Sequence, residues 1–214
     1  MNKPFSPAKK DKVANRIAVQ ARTLFLKEGI APVKMTDVAD ACHLGVATLY
    51  RYFRLKKNLV IASGVLLWQE EYQAFAEISA SCEDENLNGA ISLRKLMFHF
   101  YDLFRTRKEF FLFVRDFDVF CHQERVKPFE LAAYDQNFIR LRDLFLATGK
   151  RGVTDGSLHS VPNFETIYYA FSRALLGLGE KLIGESAIVE SDEQGNGEAQ
   201  ILSLIDVLTG YLTR

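Results

Sequence analysis

The chain has 214 residues, 48% of them apolar, and its 27 basic side chains balance its 27 acidic ones, so overall composition indicates no nucleic-acid partner. No apolar run is long enough to span a membrane, and the length suits a folded protein with a sizeable core. Three widely spaced cysteines, at 42, 82 and 121 and without a CxxC pair, favour reduced thiols and argue against a zinc fold.

The N-terminal twelve residues, MNKPFSPAKKDK, are basic and lack the apolar segment of a secretory signal. They predict a flexible arm on a cytoplasmic protein. From Lys12 to Glu28 the apolar residues recur at helical spacing, and Gly29 is a typical stop signal. We therefore expect one amphipathic helix over this stretch.

Residues 36 to 56, TDVADACHLGVATLYRYFRLK, predict two short helices joined by a tight turn. Thr36 is the expected cap of the first helix, whose inward face is Val38, Ala39 and Cys42. The turn spans 43 to 45, with Gly45 as the residue expected to let the backbone bend. Helix, tight turn and helix is the arrangement that fits a helix into the major groove of DNA.

The second of these helices is predicted from Val46 to Phe53, with Leu49 and Phe53 pointing inward. Its other side chains then form the exposed side and edges and are the candidate DNA contacts. They are Val46, Ala47, Thr48, Tyr50, Arg51 and Tyr52.

Charge is divided unevenly along the chain. Residues 1 to 60 hold 12 basic and 4 acidic side chains, a net of +8, which leaves −8 for the rest. A basic head suits phosphate binding but does not distinguish DNA from RNA or an anionic membrane, whereas the helix-turn-helix pattern does. Lys56 and Lys57 also begin a predicted helix, where two cations need a nearby anion such as a DNA phosphate; the alternative is that both are simply solvated.

Beyond Lys56 the sequence predicts an all-α body without internal repeats. The expected helices run over about 57–81, 90–105, 108–123 and 128–148, followed by a loop over 150–162. The second and third are apolar almost all round and rich in phenylalanine, so they are either a packed core or the lining of a cavity. Asp118 and His122, four apart, raise the weaker alternative of a metal site, and the more economical interpretation is a solvent-facing pair.

The last two predicted helices suggest self-association. In 164–183 an apolar stripe runs beside a line of small residues, Ala170, Ala174 and Gly177, that would allow close approach of another helix. In 199–212 apolar residues cover more of the circumference than one neighbour can bury. A homodimer through residues 163–183 and 199–212 is expected; the alternative is packing within one subunit. The acidic segment 188–198 between them predicts a mobile loop.

Over roughly residues 10 to 60 the chain resembles the TetR family of transcriptional regulators. The match rests on Phe25, Gly29, Thr36, Val38 and Ala39, then on the run GVATLYRYF from Gly45 to Phe53, and on Lys56 with Leu59. Three positions depart from the family pattern: His43 in place of glycine, Leu55 in place of Ser or Thr, and Lys57 in place of Glu.

The resemblance implies DNA contacts from Thr48, Tyr50, Tyr52 and Lys56, a phosphate contact from Thr36, and an inducer held between the helices of the body. The full DNA-binding set is Thr36, Gly45, Val46, Ala47, Thr48, Tyr50, Arg51, Tyr52 and Lys56. Aromatic and amphipathic residues on inward stripes are the candidate ligand contacts. They are Trp68, Tyr72, Phe98, His99, Tyr101, Phe104, Phe113, Phe117, Cys121, Phe138 and Tyr168.

We therefore expect an all-α protein with a DNA-binding head over 1–56 and a ligand-binding, dimerising body over 57–214. The predicted function is a dimeric regulator of double-stranded operator DNA, a repressor released by a small hydrophobic or aromatic effector, with no cofactor, metal or membrane partner. The alternatives are a helical enzyme or an RNA-binding protein. Against an enzyme, the sequence contains no GxSxG, HExxH or phosphate-cradling glycine loop.

Overall fold

The structure is a computed structural model that describes residues 7–183 and 196–213. Within these ranges the chain forms α-helices and one short 3-10 helix, with no strand, so the predicted all-α fold is confirmed. The helices are α1 Pro7–Glu28, α2 Met35–Ala41, α3 Val46–Tyr52, α4 Lys56–Asp84, α5 Gly89–Thr106, α6 Lys108–Gln123, α7 Ala132–Thr154, α8 Phe164–Ile183 and α9 Gly197–Thr213, with the 3-10 helix at Pro128–Leu131.

The chain divides into two compact units. The first consists of Met1–Gln69 and Phe113–Gln136, and the second of Glu70–Leu112 and Asn137–Arg214. The first unit therefore contains α1 to α3 together with the beginning of α4, the C-terminal part of α6 and the 3-10 helix.

Helix α1 begins at Pro7, five residues before the predicted start, so the last part of the expected arm is helical. Proline suits the first turn of a helix because its missing N–H would have no partner there. The predicted inward face is confirmed, since Ile17, Ala21 and Phe25 are fully buried. The remainder of the expected arm lies outside the described residues.

The prediction that Thr36 caps α2 is wrong. The cap position is Lys34, and Thr36 is already the second residue of the helix. The carboxylate of Asp37 accepts a hydrogen bond from the Lys34 backbone N–H at 2.7 Å, which satisfies the helix end from the third helical position. A carboxylate there also complements the positive helix end, which explains why no threonine cap is needed.

The bend between α2 and α3 is at His43 and not at Gly45. His43 has φ 54°, in the left-handed region, whereas Gly45 has φ −65° and ψ 140°, which any residue adopts. This left-handed residue, His43, is also the position at which the chain has histidine where the TetR-family pattern has glycine. A histidine therefore occupies a backbone conformation that costs a non-glycine residue about 1–2 kcal/mol.

Helix α7 continues through Thr154, so the predicted loop from 150 begins instead at Asp155. The sequence places the end of the helix at the glycines here. In the structure they lie within the helix, where other side chains pack directly against them. A Cβ on Gly149 would lie 2.5 Å from the Phe164 ring, and one on Gly152 would lie 2.4 Å from Leu158. Close packing against Phe164 and Leu158 therefore stabilises α7 at two glycines that would otherwise favour the end of a helix.

The core of the second unit is aromatic. Phe75 packs against Phe100 and Phe145 with ring centroids 5.1 and 5.8 Å apart, and Phe145 continues to Tyr168 at 5.3 Å. Helix α9 packs on α5 and α8, and its Ile201, Ile205 and Leu212 are buried. Most of the predicted loop 188–198 lies outside the described residues.

Candidate nucleic-acid interface

Helix α3 is anchored in the first unit by the two residues predicted to point inward. Leu49 is fully buried and Phe53, the C-terminal cap, is 9% exposed. The Gly45 carbonyl accepts hydrogen bonds from the Thr48 and Leu49 N–H groups at 2.8 and 3.2 Å, which starts the helix. These contacts turn one side of α3 inward and leave the opposite side facing solvent.

The six candidate readers of α3 lie on that solvent side and its edges. Val46 is 37% and Tyr50 46% exposed, Ala47 and Arg51 are exposed, and Thr48 and Tyr52 are half-buried. Val46 and Tyr50 therefore place an apolar and a hydroxyl-bearing side chain on the solvent side of the helix. They leave an outward surface of mixed apolar, hydroxyl and cationic character.

Thr36 is exposed on α2, and its hydroxyl donates to the Asp37 carboxylate at 3.3 Å. The hydroxyl is thus oriented by an intramolecular bond at the N-terminal end of α2. Its predicted phosphate contact remains a prediction.

Lys56 has a different environment from the one predicted. Its ammonium donates to the carbonyls of Ile30 and Ala31 at 2.5 and 3.1 Å and lies 5.7 Å from the centre of the Phe120 ring. Burial lowers the pKa of this ammonium, while Glu124 and Asp37 act in the opposite direction. The side chain holds the turn after α1, so its cation already has electronegative partners.

Lys57 is paired as well. Its ammonium lies 2.5 Å from the Glu130 carboxylate in the 3-10 helix, and only 23% and 20% of the two side chains are exposed. The sequence predicted that both lysines need a nearby anion. For Lys57 that anion is Glu130 of the protein itself, and for Lys56 two backbone carbonyl oxygens take its place. Helix-end electrostatics consequently provide no separate argument for a phosphate at this position.

Four predicted ligand-contact residues belong to the first unit: Trp68, Phe113, Phe117 and Cys121. The Trp68 indole N–H donates to the Tyr134 hydroxyl at 2.9 Å, and the Phe117 ring stacks on Tyr134 at 4.4 Å. Phe113 stacks on Phe117 at 6.0 Å. Tyr134, which joins these rings, was not among the predicted contacts, although it lies four residues before Phe138 and seven before Leu141, at helical spacing.

The Cys121 thiol is half-buried. Burial, with Asp118 and Glu130 adding to it, raises the pKa of this thiol to about 11, so it is protonated at neutral pH. Among the described residues no group of three or more His, Cys, Asp or Glu side chains is placed to hold a metal ion.

The other seven predicted ligand-contact residues belong to the second unit. Phe104 and Tyr168 are buried, and the remaining five are half-buried. Several have contacts within the unit: Tyr72 lies under the Arg140 guanidinium at 3.9 Å, Phe98 packs on Tyr101 at 6.0 Å, and the Tyr101 hydroxyl donates to Glu198 at 2.9 Å.

A buried ionic cluster in the second unit was missed by sequence reasoning. Glu71 is 2% exposed, and its carboxylate contacts Arg107 Nη1 at 2.5 Å and His99 Nε2 at 3.1 Å. Glu71 lies three residues after Trp68 and four before Phe75, so helical spacing already placed it on the inward side. Its partners, His99 on α5 and Arg107 at the C-terminal cap of α5, could be assigned only from the fold.

An open groove of about 510 Å³ lies in the first unit along α1 and α4. It is mostly apolar, with Ala14, Phe53, Ile61 and Val65 among the residues that line it. None of the predicted ligand-contact residues lines this groove. In the described parts of the chain no helix is long and apolar enough to cross a membrane.

A small helical head with a short anchored helix facing solvent, together with a larger all-α domain, is the arrangement found in helix-turn-helix transcriptional regulators. Residues 17–62 match the family model described as bacterial regulatory proteins of the tetR family. This match, with the similarity of the whole fold to solved TetR-family regulators, supports the resemblance to the TetR family that was found in the sequence. Regulators of this family are generally non-enzymatic DNA-binding proteins.

Solved structures support the same fold. A TetR-family transcriptional regulator from Agrobacterium tumefaciens has a TM-score of 0.67 at 17% identity, covering 96% of this chain and 100% of the other. FadR from Thermus thermophilus, a TetR-family repressor in complex with lauroyl-CoA, has a TM-score of 0.60 at 19% identity, covering 94% and 96%. RolR in complex with resorcinol has a TM-score of 0.63 at 14% identity, covering 97% and 90%. A comparison with curated protein sequences finds no match.

Proposed function

We propose that this chain is a cytoplasmic, homodimeric repressor that binds double-stranded operator DNA and is released by a small hydrophobic or aromatic effector. The observation that carries the proposal is α3, a helix anchored by Leu49 and Phe53 that exposes Val46, Ala47, Tyr50 and Arg51. Such a helix is suited to the major groove, where apolar side chains meet thymine methyl groups and hydroxyl or cationic groups meet phosphates.

In the proposed complex Val46 and Ala47, in the first turn of α3, read base edges. The hydroxyls of Thr36, Thr48, Tyr50 and Tyr52 and the cation of Arg51 contact phosphates, and Gly45 allows close approach at the helix start, because a Cβ there would meet nothing within 4 Å. Lys56 holds the turn after α1 through two carbonyls, and we retain it in the proposed DNA-binding set, since its ammonium has a third N–H to donate.

The two classes of contact predict different effects on operator recognition. Tyr50→Phe should weaken binding to all sequences alike, by about threefold to tenfold, because one hydrogen bond to phosphate is lost. Ala47→Gln should change the preferred sequence at a cost of about 1–3 kcal/mol on the wild-type operator. Selection from a random duplex pool followed by titration at fixed salt measures both effects.

The control is Ala80→Gln, the same change at an exposed position of α4 in the second unit, which should alter neither affinity nor preference. Wild-type affinity and wild-type preference in both α3 variants would refute the assignment of α3 as the reading helix.

The dimer is supported by the apolar surface left on the last two helices. On α8 the small residues Ala170, Ala174 and Gly177 are exposed, and a Cβ on Gly177 would meet nothing within 4 Å. On α9 Val207 is 71% and Tyr211 58% exposed. We propose that a second subunit covers these residues, within the predicted segments 163–183 and 199–212, because paired helices with small and apolar faces pack closely in symmetric dimers.

For the effector we propose an uncharged, largely hydrophobic or aromatic compound. The support is the number of aromatic side chains among the candidate contacts, in both units. Two structures of similar fold contain ligands: RolR binds resorcinol, an uncharged aromatic compound, and FadR binds lauroyl-CoA, whose acyl chain is hydrophobic although its CoA part is charged. The candidate contacts are Trp68, Tyr72, Phe98, His99, Tyr101, Phe104, Phe113, Phe117, Cys121, Phe138 and Tyr168.

Trp68 should report on effector binding, because it is the only tryptophan and its indole is 2% exposed and bonded to Tyr134. Titration with a panel of phenols and alkylbenzenes should shift or quench its emission and lower operator affinity by about 1–3 kcal/mol of coupling. Tyr134→Phe, which removes the hydrogen bond from Trp68, should change the starting emission but still allow release. If no compound stabilises the protein thermally or releases DNA, the effector proposal fails and these rings are core.

A further inference from the structure

The start of α4 is electrostatically unusual. Its first turn contains Lys56 and Lys57 and no acidic residue. Cations at the positive end of a helix are unfavourable, so a stable first turn needs compensating negative groups. Leu55, which precedes the helix and is 53% exposed, has no side-chain atom able to cap it.

The 3-10 helix supplies a preorganised anion for Lys57. One oxygen of Glu130 lies 2.5 Å from the Lys57 ammonium, and the other accepts a hydrogen bond from the Lys127 backbone N–H at 3.0 Å. The ion pair and this backbone bond lower the pKa of the Glu130 carboxyl, so it is charged at neutral pH. Both partners are largely shielded from solvent, which distinguishes this pair from a fully exposed one.

The pair is close in sequence to the reading helix. Only Phe53, Arg54 and Leu55 separate the end of α3 from the start of α4. A change in the position of the first turn of α4 would therefore also shift the C-terminal end of α3. Lys56 also holds this first turn in place, because its ammonium donates to the carbonyls of the turn after α1.

We propose that Lys57 is a positioning residue for operator binding, whose ion pair with Glu130 holds the first turn of α4 and so presents α3, and that Lys57 does not bind a DNA phosphate. The proposal rests on the DNA binding proposed above. It assigns to Glu130, outside the helix-turn-helix, an indirect influence on operator affinity through Lys57.

Glu130→Gln distinguishes a positioning role of Lys57 from a phosphate contact, because the two roles predict opposite changes in operator affinity. If Lys57 positions the helix, loss of the Glu130 charge weakens binding to a duplex selected by the wild-type protein, by about threefold to tenfold. If Lys57 binds phosphate, removal of its competing carboxylate strengthens binding. Asp135→Asn is the matched control, since it makes the same charge change at an exposed residue of the same unit.

Two further measurements make the assignment specific. The charge-reversed double variant Lys57→Glu with Glu130→Lys should restore affinity lost in either single variant. The slope of log affinity against log salt should be the wild-type slope in both Glu130→Gln and Lys57→Met, because neither variant removes a phosphate contact. If Lys57 did bind a phosphate, Lys57→Met would reduce the magnitude of this slope by about 0.9.

Amide hydrogen exchange of residues 53–62 provides a readout that needs no DNA. It should be faster in Glu130→Gln than in Asp135→Asn, because the first turn of α4 opens more often. The proposal is overturned if Glu130→Gln binds DNA as well as or better than Asp135→Asn, or if exchange is the same in both. Failure of the wild-type protein to bind any duplex would instead refute the proposed function, while the exchange comparison still decides whether the pair holds α4.

Discussion

Ala174→Glu and Val207→Glu should each reduce operator affinity by about 100-fold or more. Both residues are exposed on the last two helices, so a glutamate there does not disturb the described fold but would be buried without a partner in the proposed dimer. A dimer places two reading helices about 34–36 Å apart on one face of DNA, and separation into monomers removes the gain from simultaneous binding of two half-sites. Light scattering at micromolar concentration and titration of a selected duplex measure the two consequences.

The matched control for these variants is Ala80→Glu, which introduces the same charge at an exposed position of α4. This variant should remain a dimer and retain wild-type affinity to within about twofold, as expected for a substitution away from an interface. A wild-type mass close to that of one chain would contradict the dimer. Retention of the dimer by both glutamate variants would refute the assignment of α8 and α9 as its interface.

Arg107→Met should lower the free energy of unfolding by about 3 kcal/mol, the largest stability effect that we expect from a single polar substitution here. The variant leaves the carboxylate of Glu71, 2% exposed, without its guanidinium partner and with only His99 beside it. Chemical denaturation at matched protein concentration measures the difference, because dimerisation would otherwise change the apparent stability.

Arg105→Met is the control for that experiment. It removes the same charged group from the same region, but Arg105 is exposed and its cation lies over Tyr101 at 5.7 Å without a buried carboxylate. Its effect should stay below about 1 kcal/mol. Glu71→Gln should recover part of the stability lost in Arg107→Met, since the unpaired buried charge is then removed; no recovery in the double variant would show that the ionic cluster is not the cause.

Local pattern was sufficient for much of the fold and for the bounds of α3. Phe164–Ile183 and Lys108–Gln123 have the predicted bounds, and α3 differs from its prediction only at Phe53, which is the cap and not a helical residue. The inward positions of Leu49 and Phe53 also follow from spacing alone. The reason is that helical periodicity depends on residues three or four apart, which the sequence displays directly.

Partners that are distant in sequence were decided only by the tertiary structure. Spacing showed that Lys56 and Lys57 need negative groups but not that the carbonyls after α1 and Glu130 provide them. It placed Glu71 inward but could not assign Arg107 to it. Electrostatic pairing depends on distance and burial, both of which exist only after the chain has folded.

The glycines show the same division between sequence and structure. Gly45 in the predicted turn and Gly152 in the predicted loop 150–162 both indicate a bend or break in the sequence. In the structure Gly45 has an ordinary φ, and Gly152 lies within a helix against Leu158, while the left-handed turn residue is His43. The sequence by itself determined where helices can form and which sides are apolar, because these depend on neighbouring residues. Only the tertiary structure decided which cations are neutralised and which small residues are packed, because both depend on contacts between distant parts of the chain.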